Sequence, residues 1–190
     1  MAQALTLLFW GYLFVALRID IGVDLLPDFL GYLFVAIGCL KLQDKFPMAR
    51  KAGIFSIILI FFSIPTFFID IYKISGFEWQ AYSITLMAIH LILVYFTFNF
   101  LIDIVKSDYP TITTRTKRNF SLYISIHLIQ LAFLSFSINI PGNISLTIGL
   151  ILTVATLIMT ISFLVLIRAI RKTSLNFIGD NFIGDSPSPL

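Results

Sequence analysis

The sequence predicts an all-α protein, a polytopic bundle of six transmembrane helices. Hydrophobic residues make up 58% of the 190-residue chain and charged residues 12%, whereas soluble domains are about 45–50% apolar and about 25% charged. Four apolar stretches each reach the length of about 17–25 residues that a helix needs to cross a bilayer. One soluble core could not bury this much apolar surface, so the lipid bilayer is the expected solvent for most of the chain.

The N-terminal region predicts two short helices joined by a charged turn. They run from residue 4 to about residue 20 and from about residue 24 to residue 42. Each contains a near-copy of one segment, FWGYLFVAL at 9–17 and FLGYLFVAI at 29–37. Two arrangements fit these lengths: helices that cross the bilayer and turn at Gly22, which we favour, or a re-entrant hairpin. Gly11 and Gly31, equivalent in the two copies, would let the helices approach closely.

Four longer helices follow, with predicted spans at 52–72, 79–105, 120–139 and 144–167. Pro65 is expected to kink the first of them, and Pro141 and Gly142 mark a tight turn between the last two. Residues 1–172 would then form a single transmembrane domain. The remaining residues, 173–190, contain NFIGD twice in tandem and end in SPSPL, which predicts a disordered cytoplasmic tail.

The distribution of basic residues predicts the orientation of the chain. Two of the thirteen Lys and Arg residues, Arg18 and Lys73, fall on one side of the predicted spans. The other eleven fall on the opposite side: Lys41, Lys45, Arg50, Lys51, Lys106, Arg115, Lys117, Arg118, Arg168, Arg171 and Lys172. The positive-inside rule places this basic side, and with it both termini, in the cytoplasm. Because the basic residues are spread over the loops between spans, a nucleic-acid partner is not expected.

The turn between the first two helices concentrates charge in an otherwise apolar chain, with Arg18, Asp20, Asp24 and Asp28 in eleven residues. Pro27 suits the first position of a helix, which places Asp28 in the first turn, where the helix dipole favours a carboxylate. A turn at residues 22–23 would also bring Arg18 to the depth of Asp28, where the two can pair. The alternative is an acidic outer site that contacts a cation or substrate. Helix initiation and pairing are the favoured account.

The same segment resembles a known pattern, carried by Asp24, Leu26, Pro27, Asp28, Phe29, Gly31 and Tyr32. It is similar to that of small uncharacterised multi-pass membrane proteins of Gram-positive bacteria. In these an apolar helix and a short Asp-containing link precede Leu-Pro-Asp-Phe and Gly-Tyr at the start of the next helix. The resemblance implies a location in the bacterial plasma membrane and no known activity.

Polar side chains inside the predicted spans are the candidate functional residues. His90 and His127 lie near the middle of the fourth and fifth spans, at similar depths if these spans are antiparallel neighbours. With Asn99 and Gln130 they could line a path for a proton or a solute, because histidine titrates near neutral pH. Alternatively, these residues form hydrogen bonds between helices, worth about 0.6 kcal/mol each. The second interpretation is favoured.

Motifs of catalysis are missing from the sequence. It contains no Gly-rich phosphate loop, no paired-cysteine motif and no GxSxG element, and two histidines without a third ligand make a weak metal site. We therefore expect no enzyme, cofactor or metal. The expected function is a structural or accessory membrane component, with a small ion or solute transporter or channel as the alternative. Besides lipid, the expected partner is another copy of the chain or another membrane protein.

Overall fold

A computed structural model describes residues 1–17, 28–68, 77–106 and 109–183 of the chain. Within these ranges the structure is helical and has no strand, and its six α-helices confirm the predicted all-α class. They are α1 (Ala2–Ala16), α2 (Asp28–Leu40), α3 (Pro47–Phe68), α4 (Phe77–Val105), α5 (Pro110–Phe136) and α6 (Gly142–Ile183). Four of them, α3 to α6, are long and apolar enough to cross a membrane, as a multi-pass membrane protein requires.

The six helices form a closed ring. Each helix packs against the next along the chain, and α6 packs back against α1. Arg171, in the C-terminal half of α6, donates a hydrogen bond of 3.3 Å to the hydroxyl oxygen of Thr6, near the start of α1. The beginning of α1 and the basic part of α6 therefore lie at one end of the ring, the terminal end. The opposite end, where α1 ends and α2 begins, is the hairpin end.

The two near-copies of the N-terminal segment meet at their glycines. A Cβ atom on Gly11 would lie 2.7 Å from the carbonyl oxygen of Gly31 and 2.7 Å from Cγ2 of Val35. A Cβ atom on Gly31 would lie 2.8 Å from the carbonyl oxygen of Gly11 and 2.6 Å from Cγ2 of Val15. Equivalent residues thus contact each other reciprocally, which gives the crossing approximate two-fold symmetry. The predicted close approach at these glycines is confirmed.

The boundaries of the two N-terminal helices differ from the prediction. They contain 15 and 13 residues, or about 22 and 20 Å of helix, which is less than the hydrocarbon thickness of about 30 Å. Asp28 lies in the first turn of α2. Arg18, Asp20 and Asp24 lie outside the described residues, as do the predicted turn and the Arg18–Asp28 pair.

The last two helices are longer than the sequence predicted. Helix α5 begins at Pro110 rather than residue 120, because proline fits the first helical turn and hydroxyls such as that of Thr113 bond to carbonyls one turn earlier. Helix α6 continues to Ile183, so that the first part of the predicted tail, from 173, is helical. An existing helix extends at little cost, since each added residue forms one more hydrogen bond.

Four aromatic side chains meet at the centre of the ring, and we call them the aromatic floor: Tyr12, Phe98, Tyr123 and Phe163. The ring centroid of Phe163 lies 4.6 Å from that of Phe98, 4.9 Å from Tyr12 and 5.6 Å from Tyr123. Each of the four is at most 3% exposed. On the terminal side of the floor the interior is filled with buried aliphatic residues such as Leu8. The floor therefore closes the centre of the ring toward the terminal end.

Candidate functional site

A cavity of about 660 Å³ lies on the hairpin side of the aromatic floor, and all six helices contribute to its wall. Its size falls within the range of about 300–1,000 Å³ that is typical of small-molecule sites. The wall combines apolar side chains such as Leu86 and Met87 with polar ones from every helix. The polar residues are Tyr12, Asp28, Tyr32, Ser63, Ser83, His90, Tyr123, His127, Gln130, Thr153, Thr156 and Thr160.

His90 of α4 lies between the tyrosines of the two near-copies. The hydroxyl of Tyr32 and Nδ1 of His90 are 3.1 Å apart, and the ring of Tyr12 meets the His90 ring edge-on at 6.3 Å. Each tyrosine follows the glycine at which α1 and α2 cross. The crossing therefore directs both rings toward the same histidine. Sequence reasoning missed these tyrosines, and the Gly-Tyr pair repeated in the two copies was the signal that could have found them.

Tyr12 also ties the hairpin to α4. Its hydroxyl lies 2.6 Å from Oγ1 of Thr97, and Thr97 in turn donates to the carbonyl oxygen of Leu93 at 3.0 Å. Because the hydroxyl hydrogen of Thr97 is used in that second bond, Tyr12 is the donor in the first. Both side chains are buried, so the bond joins α1 to α4 at the level of the aromatic floor.

His127 of α5 is held by its own helix. Its Nδ1 atom lies 2.8 Å from the carbonyl oxygen of Tyr123, and the two rings stack with centroids 3.9 Å apart at an angle of 11°. A carbonyl only accepts hydrogen bonds, so Nδ1 carries the hydrogen and Nε2 is the acceptor of the neutral ring. The orientation of this histidine is thus fixed by α5 alone.

Gln130 links α5 to α6 in the cavity wall. The hydroxyl of Thr156 donates to Oε1 of Gln130 at 2.5 Å, which joins the two helices by a hydrogen bond between side chains. Gln130, Tyr32 and His90 form hydrogen bonds between helices and also line the cavity. Their arrangement therefore has features of both interpretations of the sequence, the solute path and the bonding between helices.

Four of the residues singled out from the sequence line this one cavity: Asp28, His90, His127 and Gln130. Asn99 does not join them. Nine residues separate it from His90, which at 3.6 residues per turn places the two on opposite faces of α4. Its amide instead donates to the carbonyl oxygen of Tyr95, 2.7 Å away.

The described wall of the cavity contains one acidic residue and no basic one. Among the described residues of its wall, Asp28 is the one carboxylate, and there is no Lys or Arg. In the described part of the chain no group of three His, Cys, Asp or Glu residues is placed to hold a metal ion. The arrangement suits a small organic molecule held by hydroxyl, imidazole, amide and carboxylate groups.

The chain matches no protein family, no curated protein and no solved structure with which it was compared.

Proposed function

We propose that this chain is a plasma-membrane protein of bacteria that binds a small solute in its central cavity, as a small transporter does. The observation that carries the proposal is the ring of six helices around a cavity of about 660 Å³ whose wall is polar on every helix. Ionisable residues inside a membrane are costly and often mark a substrate or ion path, and Asp28, His90 and His127 line this cavity. A purely structural or accessory component, favoured by the sequence alone, does not need such a cavity. No catalytic step or cofactor is proposed.

The orientation belongs to the same proposal. Described basic residues such as Lys45, Arg118 and Arg171 lie at or near the terminal end, and the positive-inside rule supports a cytoplasmic location for that end and for both termini. The hairpin end, toward which the cavity extends, would then face outward. The short helices α1 and α2 complete the ring beside the four longer spans. These two helices would cross the bilayer or enter it from one side.

The aromatic floor gives the proposal a mechanism. In this conformation buried rings separate the cavity from the terminal end, so a solute can occupy the cavity but cannot pass through. Passage would require the floor to open, and the Tyr12–Thr97 hydrogen bond is a contact that would have to break. A protein built this way would expose its site to one side at a time, as transporters do.

The test compares two tryptophan variants on α6. Thr156→Trp fills the cavity, whereas Leu150→Trp adds the same side chain at a position that is 63% exposed and not in the wall. Each protein, reconstituted in nanodiscs, is incubated with a small-molecule extract of bacterial cells, and the retained compounds are identified by mass spectrometry. The proposal predicts compounds retained by the wild type and by Leu150→Trp but lost from Thr156→Trp. The same retained compounds in all three proteins, or none in any, would refute it.

A further inference from the structure

We propose that the solute of the central cavity is a hydrogen-bond donor, an apolar molecule whose O–H or N–H group binds Nε2 of His127. The inference rests on the proposed small-solute function and adds the chemical class of the solute. It is carried by the two ring nitrogens of His127, of which one is bonded within α5 and the other lies open to the cavity.

The two nitrogens of His127 have different surroundings. Nδ1 donates to the carbonyl oxygen of Tyr123, so Nε2 is the acceptor of the neutral ring. Nδ1 adjoins the ring carbon that carries the side chain, so Nε2 lies at the edge of the ring farther from the backbone of α5. Among the described residues, none donates a hydrogen bond to Nε2. Nε2 is also not one of the unpaired polar atoms sealed inside the described structure, which are Oδ1 of Asn119 and Oγ of Ser174. A molecule in the cavity that His127 lines can therefore reach it.

The surroundings of His127 make an unpaired acceptor costly. The residue is 5% exposed, and its ring lies against that of Tyr123 in the aromatic floor. A buried acceptor without a partner destabilises the protein. Nearby hydroxyls do not supply the missing hydrogen, because Thr156 donates to Gln130 and Thr160 donates to a carbonyl oxygen of α6. The hydrogen is left for a molecule in the cavity to provide.

The rest of the wall suits an apolar body. Leu86, Met87 and Phe163 line the same cavity, and such apolar walls hold a ligand while a few polar groups orient it. Leu157 also lines the cavity and is 54% exposed, so the cavity borders the outer surface of α6 there. In a bilayer this surface faces lipid, from which a molecule with an apolar body can enter.

The experiment uses three bicyclic probes of nearly equal size: indole, which has an N–H donor, indene, which has a CH₂ group in its place, and benzofuran, which has an oxygen acceptor there. Binding to the full chain in nanodiscs is measured by calorimetry, with empty nanodiscs as the control for partitioning into lipid. We expect indole to bind more tightly than indene by about 5- to 150-fold, because indene leaves the buried Nε2 atom unpaired. Benzofuran should bind most weakly, because its oxygen would face a second acceptor.

Three variants assign the preference to Nε2. His127→Phe keeps an aromatic ring against Tyr123 but removes the acceptor, so indole and indene should bind about equally. His127→Gln offers an amide oxygen to the same donor and should keep indole ahead of indene. Tyr95→Phe is the control, since it removes a polar group that is outside the cavity wall and 46% exposed, and it should behave as the wild type. Size-exclusion profiles check that each variant is folded.

Several outcomes would overturn the inference. Equal binding of the three probes by the wild type would do so whether or not any variant folds, because water alone would then satisfy Nε2. Binding of none of them, a preference for indole that survives His127→Phe, or one that is lost in His127→Gln as well would also overturn it. If compounds are still retained by the wild type and lost from Thr156→Trp, the proposed function stands without this inference.

Discussion

The crossing of α1 and α2 makes a sharp prediction about Gly11→Ala. The new Cβ atom would lie 2.7 Å from the carbonyl oxygen of Gly31, whereas ordinary van der Waals contact begins at 3.4 Å. The missing 0.7 Å cannot be recovered by rotating a side chain, because the opposing atom belongs to the backbone of α2. The helices must therefore separate, and overpacking of this kind costs about 1–3 kcal/mol.

The matched control is Gly149→Ala on α6, where the nearest atom to the new Cβ is a ring carbon of Phe133 at 3.6 Å. Both substitutions gain the same helix propensity, up to about 1 kcal/mol, so this gain cancels in the comparison. Unfolding by SDS in mixed micelles, followed by circular dichroism, gives the free energy of unfolding of each variant. We expect Gly11→Ala to be less stable than Gly149→Ala by about 1–3 kcal/mol. Equal stability of the two variants would refute the close crossing.

Three further predictions concern two hydrogen bonds and the orientation of the chain. Thr97→Val should lower the free energy of unfolding by about 1–3 kcal/mol, because it leaves the buried hydroxyl of Tyr12 without its acceptor. A double-mutant cycle of Gln130→Met and Thr156→Val should give a coupling energy of about 0.6 to 1.7 kcal/mol for the bond between α5 and α6. In a cysteine-free background, Lys45→Cys should react with an impermeant maleimide only after cells are opened, if the terminal end is cytoplasmic.

Controls for these predictions lie on the exposed start of α6. Thr147 bonds within its own helix at an exposed position, so Thr147→Val should change stability by less than about 0.5 kcal/mol and should be additive with Gln130→Met. If Thr147→Val lowered the free energy of unfolding as much as Thr97→Val does, the first prediction would be contradicted. A coupling energy of zero between Gln130 and Thr156 would contradict the second. Asn143→Cys, at the hairpin end, should be labelled in intact cells. Labelling of Lys45→Cys in intact cells would instead show that the terminal end faces outward and would contradict the predicted orientation.

The all-α class and the six helices of the described residues could be predicted from the apolar stretches and the repeated segment. Four stretches are long enough to cross a bilayer, and the two near-copies mark a pair of shorter helices. The contact of Gly11 with Gly31 was also accessible, since small residues at equivalent positions of neighbouring helices commonly meet. These features depend on local sequence.

Neighbour relations could not be predicted in the same way. In a membrane both the lipid-facing and the inward faces of a helix are apolar, so hydrophobic periodicity does not show which face packs on which helix. The closing of the ring by α6 on α1 was therefore not foreseen. Asn99 was included with His90 in one hypothetical solute path, although their spacing of nine residues puts them on opposite faces. Tyr12 and Tyr32 could not be identified as site residues from the sequence, because their contacts with His90 depend on the crossing of α1 and α2 at the glycines.

The central claim is that the ring encloses a cavity which small molecules can enter, and cysteine labelling tests it most directly. In a Cys39→Ala background, Thr156→Cys places a thiol in the cavity wall, whereas Ser56→Cys places one at a fully buried position outside it. Both are exposed to N-ethylmaleimide, a small uncharged reagent, with the protein in nanodiscs. Rapid labelling of Thr156→Cys with slow labelling of Ser56→Cys is the result that the cavity predicts. Equally slow labelling of the two thiols would contradict it.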